Sequence, residues 1–198
     1  MKKLIAITGG IGSGKSSAAQ FLSEMGYPVF SCDNIYREVI LLPSYIEKVN
    51  TLFPECVING IIDKKVLSQI VFNDTTKLAL LNGIAHPLIM DKLFEKMQAC
   101  KEDIVFAEVP LLFEGNYENK FNLVIVIIRK IESRIYSIMS RDNTTREEAL
   151  NRIGSQFDYE NDKERLKSCN AIIIENNSTI EELKTKIEKI NFRKLSAL

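Results

Sequence analysis

The stretch Gly9-Gly-Ile-Gly-Ser-Gly14-Lys15-Ser16 constrains this chain more than any other feature. It fits the pattern G-x-x-x-x-G-K-[ST] without a mismatch, between an apolar run at 3–8 and a helix-like segment. Four of only nine glycines fall in this one short loop. Such a loop turns backbone N–H groups inward onto phosphate oxygens, where side chains would block the approach. Gly14 lets the chain turn into the following helix, whose N-terminus carries partial positive charge. Gly10, Ile11, Gly12, Ser13, Gly14, Lys15, Ser16 and Ser17 are therefore the expected phosphate cradle. Lys15 is expected to reach the β- and γ-phosphates and Ser16 to offer its hydroxyl to Mg²⁺, so ATP with Mg²⁺ is the expected nucleotide.

The rest of the chain has the rhythm of an α/β fold. Five short apolar runs, 3–8, 28–31, 103–109, 122–128 and 171–174, read as strands. Most are apolar throughout, as in a parallel sheet covered on both faces. Helical patterns lie between them. In the last, Ile180, Leu183, Ile187 and Ile190 share a face behind the capping box Ser178-Thr-Ile-Glu181; Thr145-Arg-Glu-Glu148 is a second box. The expectation is a P-loop kinase-type, doubly wound, parallel five-stranded sheet. One interval breaks the rhythm. About seventy residues separate the second strand from the third, where a simple crossover needs about a dozen. Helices are expected near 33–42, 44–53, 63–72, 75–85 and 87–99, punctuated by Pro43, Pro54, Gly60 and Pro87. The expected partition is a nucleotide core of 1–32, 103–141 and 169–198, a helical substrate subdomain of 33–102, and a helical lid of 142–168.

Composition excludes several classes. Twenty-six basic and 26 acidic residues cancel, which argues against a general nucleic-acid or membrane-surface binder. The longest apolar runs fall far short of the roughly 20 residues of a membrane span, and the N-terminal segment lacks the pattern of a signal peptide. Cys32, Cys56, Cys100 and Cys169 are scattered and His86 is the only histidine, so free thiols in a reducing cytoplasm are expected rather than a zinc site. No obligate protein partner is inferred.

The kind of nucleotide chemistry follows from what accompanies the loop. The D-x-x-G and N-K-x-D patterns of a GTP switch are missing, and the third strand ends in one acidic residue, Glu108, rather than two. Six of eight arginines lie between 129 and 165. A lid over a triphosphate needs arginines to neutralise the migrating phosphoryl group and must exclude water. Arg141 is the first candidate because it ends the helix after the fourth strand; Arg134 and Arg152 come after it. Asp33 directly follows the second strand, where site residues gather, and reads either as the base that receives the acceptor's hydroxyl proton or as a helix cap. Glu108 reads either as a metal-side carboxylate, with Ser16, or as a structural residue.

These residues, taken together, resemble the dephospho-coenzyme A kinase family. The likeness runs over nearly the whole chain. It includes Thr8 through Ser16, Asp33, Asn59-Gly60 with Asp63 and Leu67, Val71-Phe72, His86-Pro87, Pro110-Leu-Leu-Phe-Glu114, Arg141-Asp142, Arg152-Ile153 with Gln156, and Asn176. The resemblance implies phosphorylation of the ribose 3′-hydroxyl of dephospho-coenzyme A by ATP, the last step of coenzyme A synthesis. It implies Asp33 as the base, and a substrate-side role for His86 and for Pro110, Leu111, Leu112, Phe113 and Glu114. It adds Asn176 to the nucleotide site. Read alone, His86 marks a helix boundary or a core position, and Phe113 is packing. The chain departs from the family pattern at Ser31-Cys32, where Asp-Ala is usual, at Lys64 for Arg, at Asn122 for Asp, and at Asn170-Ala171 for Ala-Asp. Another small-molecule kinase and a catalytically silent nucleotide binder remain the rival readings.

Overall fold

The computed structural model describes residues 2–72, 74–159 and 161–193, and the side chain of Phe72 lies outside the description. The chain divides into two compact units. One runs from the N-terminus to Phe30 and from Met97 onward; the other spans Ser31–Lys96.

The first unit carries the sheet. Its strands are β1 (Lys3–Thr8), β2 (Val29–Ser31, ending at the unit boundary), and, after a small hairpin numbered β3 and β4 below, β5 (Ile104–Glu108), β6 (Leu123–Ile128) and β7 (Ala171–Glu175). All five are parallel, in the order β2-β5-β1-β6-β7. The expected strands agree with these within a residue or two. β1 pairs with β5 through Lys3↔Ile104 to Ile7↔Glu108, and with β6 through Ile5↔Leu123 to Thr8↔Val126. β1 is thus the middle strand, with strands added to either side of it, and the loop leaving its C-terminal end emerges at the topological switch point.

Period two explains the all-apolar strands. Ile5, Ile7, Phe106, Ile125, Ile127 and Ile174 face helices α1 (Lys15–Glu24) and α9 (Ile180–Glu188), whose Ala18, Ala19, Leu22, Leu183 and Ile187 complete that core. The alternate residues Leu4, Ala6, Thr8, Val105, Ala107, Val124 and Val126 are buried too, on the opposite face. Side chains locked on both faces give the phosphate loop a rigid base. Helices α6 (Ile131–Asp142), α7 (Arg146–Gly154) and α8 (Lys163–Ser168) follow β6. Thr145 caps α7 in a reciprocal box with Glu148. At α9 the cap falls one residue later than expected: Thr179, not Ser178, accepts a backbone N–H, that of Glu182.

The second unit contains α2 (Cys32–Val39), α3 (Pro43–Leu52), the two-stranded hairpin β3 (Val57–Ile58) and β4 (Ile61–Ile62), α4 (Lys64–Phe72) and the greater part of α5 (Thr75–Ala99). Glu38 on α2 meets Lys92 at 3.7 Å and Lys96 at 2.5 Å on α5. Two expectations are corrected here. The unit is not wholly helical, because Asn59 and Gly60 both take positive φ, 51° and 76°, and close a hairpin. The expected break at Pro87 does not occur either. α5 runs through it for 25 residues, with Leu81, Ala85, Ile89 and Leu93 buried at intervals of four. Proline removes one N–H, but the residue four back is the exposed Gly83, whose freed carbonyl water can satisfy. His86 therefore lies inside a helix, half-buried, and not at a boundary.

All four cysteines are free, and burial pushes the Cys56 and Cys169 thiols up in pKa, which keeps them protonated and inert. Among the described residues no helix is long and apolar enough to cross a membrane.

Candidate active site

The loop from β1 to α1 takes its shape from glycine. Gly14 has φ +99° and occupies the N-cap position of α1, where it offers no side-chain cap to the first-turn amides. The first-turn amides of an α-helix lack an acceptor within the helix itself, and no acidic residue lies in this turn. The helix start is built to receive an anion. A Cβ on Gly12, at φ +76°, would sit 2.8 Å from the Arg134 carbonyl oxygen, so the loop backbone lies directly against α6.

Glu108 ends β5 beside Ile7 of β1, which brings its carboxylate to the first turn of α1. Ser16 Oγ donates to Glu108 Oε1 at 2.6 Å. The two residues expected to serve a metal are therefore adjacent. Their donors are a hydroxyl and a carboxylate, hard oxygens that suit Mg²⁺, which takes few protein ligands and keeps waters and phosphate oxygens. Among the described residues there is no cluster of three or more His, Cys, Asp or Glu that could hold a metal by itself.

Asn176, just past β7, is buried. Its backbone N–H donates to the Ile128 carbonyl at 2.8 Å, and its Nδ2 donates to the Ser13 carbonyl at 2.8 Å. It braces the loop from beneath. At the shoulder, the Ile11 N–H, one of the expected cradle amides, donates instead to Gln156 Oε1 at 2.6 Å.

The arginines named as candidates differ in what they touch. Arg134, in the first turn of α6, donates from Nε to the Ile11 carbonyl at 3.0 Å, and its guanidinium occupies the space a Cβ on Gly10 would need. Arg129 donates to Ser137 Oγ at 2.9 Å and, more distantly, to the Gly12 carbonyl at 3.4 Å. Arg141 lies two turns further along α6, exposed and paired with Asp142 at 2.7 and 2.9 Å. Asp142 also accepts from Arg152 at 2.8 Å. The Arg141 hydrogen bond, then the charges of Arg141 and Arg152, hold the Asp142 carboxyl below its ordinary pKa. Arg129 and Arg134 also line a cavity of about 250 Å³ beside the loop, with Gly10, Ser13, Gln156 and Tyr159. The Tyr159 hydroxyl lies 3.2 Å from Thr8 Oγ1 at the end of β1, and burial raises its pKa, so it stays a neutral hydrogen-bonding group.

The segment Pro110–Glu114 divides in two. Leu112 and Phe113 are fully buried and pack in the core. Phe113 stacks on Phe157 with ring centres 4.3 Å apart, and Arg165 lies over both rings. Arg165 Nε donates to buried Glu118 at 2.6 Å and its Nη2 to the Phe113 carbonyl at 2.6 Å. Pro110 and Leu111 are half-buried, and Glu114 is exposed, accepting the Phe157 N–H at 2.9 Å.

Asp33 and His86 belong to the second unit. Asp33 is exposed in the first turn of α2, two residues past the end of β2. Ser31 holds the N-cap position, so the capping reading of Asp33 is set aside.

Asn122, a departure from the family pattern, has a clear task. Its Oδ1 accepts the Leu4 N–H and its own N–H donates to the Leu4 carbonyl, each at 2.8 Å, which fixes the register of β6 on β1. Sequence reasoning assigned no role to Gln156, Tyr159 or Arg165. The usable signals are the position of Arg134 in the first turn after a central strand and the place of Gln156 in the family pattern with Arg152-Ile153.

The family model described as CoaE, dephospho-CoA kinase, matches residues 3–182. A dephospho-CoA kinase of Fusobacterium nucleatum is 36% identical over 188 residues, covering 94% of this chain and 95% of that protein. Among solved structures, a Thermus thermophilus protein is 32% identical with a TM-score of 0.77, covering 94% of this chain and 95% of its own. A dephospho-CoA kinase from Campylobacter jejuni is 29% identical with a TM-score of 0.67, covering 96% and 95%. With the phosphate loop, the Ser16–Glu108 pair and the parallel sheet in place, this agreement over nearly the full length establishes that the chain belongs to the dephospho-CoA kinase family.

Proposed function

We propose that this chain transfers the γ-phosphoryl group of ATP to the ribose 3′-hydroxyl of dephospho-coenzyme A, giving coenzyme A and ADP in the cytoplasm, with Mg²⁺ required. The carrying observation is the Ser16 Oγ–Glu108 contact of 2.6 Å at the mouth of the phosphate loop, in a chain of this family. Ser16 and Glu108 would hold Mg²⁺, which would supply positive charge to offset that of the phosphates.

The chain's own residues supply the rest. Amides at the start of α1 hold the phosphates, and Lys15 balances charge on the β- and γ-oxygens. Arg134, already against the loop, is placed to meet the donor phosphates, and Arg141 and Arg152 form a second pair held by Asp142. Asp33 receives the acceptor's proton as the new bond forms and orients the hydroxyl beforehand. His86, Pro110, Leu111 and Glu114 serve the acceptor side, and Asn176 serves the nucleotide through the loop it braces.

A coupled ADP-release assay with dephospho-coenzyme A, adenosine and AMP as acceptors tests this reading. Turnover with dephospho-coenzyme A alone is expected. Turnover with AMP or adenosine instead points to a different small-molecule kinase, and ATP binding without transfer points to a silent binder. Asp33→Asn should lower kcat by about 10²-fold with ATP binding retained. An unchanged kcat removes Asp33 from the mechanism.

A further inference from the structure

One residue of the phosphate loop is attached to the α6–α7 helices in three ways. The Ile11 N–H donates to Gln156 Oε1 at 2.6 Å. The Ile11 carbonyl accepts Arg134 Nε at 3.0 Å. The Ile11 side chain packs on the small apolar cluster of Ile135, Ile138 and Ala149. Gln156 sits two residues beyond α7, held in the helix's last turn by its own N–H, which donates to the Ile153 carbonyl at 3.2 Å.

The loop needs such attachment. Gly9, Gly12 and Gly14 have φ of +148°, +76° and +99°, and glycine loses more conformational freedom on ordering than any other residue. Within the loop itself, the Ser13 N–H donates to the Gly10 carbonyl at 3.1 Å. Freedom removed before the nucleotide arrives is freedom that binding need not remove. The Ile11 amide lies outside the first turn of α1, so holding it does not occupy the helix start that is read as the phosphate end.

We propose that Gln156 is a positioning residue for nucleotide binding: its amide oxygen, by holding the Ile11 N–H, makes the shape of the phosphate loop depend on the end of α7. This rests on reading the loop as the ATP site, and adds to it a residue that touches no phosphate. The requirement at 156 is chemical and narrow. The side chain must present an acceptor at the right reach, which Glu does and the similarly sized Leu does not.

The test titrates the full-length wild type, Gln156→Leu and Gln156→Glu with ADP by calorimetry, alongside melting curves without nucleotide and steady-state kinetics. Gln156→Leu should weaken ADP binding by about 10-fold and raise KM for ATP to match, with a smaller change in kcat at saturating ATP. Gln156→Glu should recover most of the lost affinity. Should Gln156→Leu fail to fold, Gln156→Met makes the same comparison with a more adaptable apolar side chain. ADP affinity of the apolar variant within about 2-fold of wild type overturns the proposal, even if its melting temperature falls. So does a Gln156→Glu variant that melts like wild type yet binds ADP as weakly as Gln156→Leu. If the wild type binds ADP but transfers nothing to dephospho-coenzyme A, the functional reading fails while the ADP series still decides the role of Gln156.

Discussion

Replacing Asn176 with Ala separates two roles that the sequence alone does not distinguish: contact with the nucleotide, and support of the loop. Asn176 is 8% exposed, and its Nδ2 satisfies the Ser13 carbonyl at 2.8 Å. Removing the amide leaves that carbonyl without this partner in a buried place, which costs about 1–3 kcal/mol. With about 2 kcal/mol as the central figure, a chain of this size should melt roughly 4–8 °C lower. The assay is a thermal melt without nucleotide, repeated at saturating ADP. If Asn176 supports the loop, the loss is already present without nucleotide, and the ADP-induced gain also shrinks because the loop must be reshaped on binding. If Asn176 serves only as a nucleotide contact, the nucleotide-free melt stays in place and the ADP gain alone falls. Asn176→Asp should do more damage than Ala, because it sets an acceptor against the Ser13 carbonyl and buries a charge. A nucleotide-free melting temperature within about 1 °C of wild type for Asn176→Ala refutes the bracing argument.

Three other outcomes follow from particular contacts. Ser16→Ala and Glu108→Gln should each raise the Mg²⁺ concentration for half-maximal activity by about 10-fold or more, and the double variant should fall short of the product because the residues share one contact; an unshifted Mg²⁺ titration removes the pair from the metal site. Arg165→Met strands the buried Glu118 carboxylate and should cost about 3–5 kcal/mol by urea denaturation, with Glu118→Gln in the same chain recovering part of it. The Asp142 carboxyl has a lowered folded pKa, so its contribution is present above the unfolded carboxylate value of about 3.9 and is lost as pH falls through the folded pKa. Melting curves taken down the acid range should accordingly show a shallower acid-side loss for Asp142→Asn than for wild type, and equal slopes refute the pairing.

The fold was legible where one period dominates. All-apolar strands such as Leu123–Ile128 have no other stable place than a sheet covered on both faces, and their positions emerged to within a residue or two. Two elements of the second unit were read wrongly, for different reasons. Asn59-Gly60 is a strong hairpin signal, but its strands are only two residues each, too short for alternation to show. Pro87 is a helix breaker by local chemistry, and local chemistry lost. The buried series Leu81, Ala85, Ile89, Leu93 holds one face of α5 against its unit on both sides of the proline, while Gly83 leaves the freed carbonyl in water. Tertiary burial along 25 residues outweighs the proline's cost of about 3 kcal/mol or more.

The site was legible to the extent that its chemistry is written in neighbouring positions. The loop is one continuous motif, and Glu108 is tied to it by strand pairing, since the residue ending β5 must face the start of α1 once β5 lies beside β1. The arginines have no such tie. Arg141 is the first candidate by sequence because it ends the helix after the fourth strand, but a helix rises about 1.5 Å per residue, which puts it roughly 10 Å further from the strand end than Arg134. Arg134 needs no movement to meet the loop, whereas Arg141 and Arg152 share Asp142. The division suggests an order of action. Arg134 touches the loop as it stands, whereas Arg141 and Arg152 would have to give up Asp142 to meet a phosphate oxygen. Asp142→Asn should then strengthen ATP binding if that exchange limits closure, because the amide competes less for the two guanidiniums. It should raise KM for ATP if Asp142 instead aims them. Steady-state kinetics on that one variant decides between the two, and an unchanged KM shows that neither arginine reaches the nucleotide.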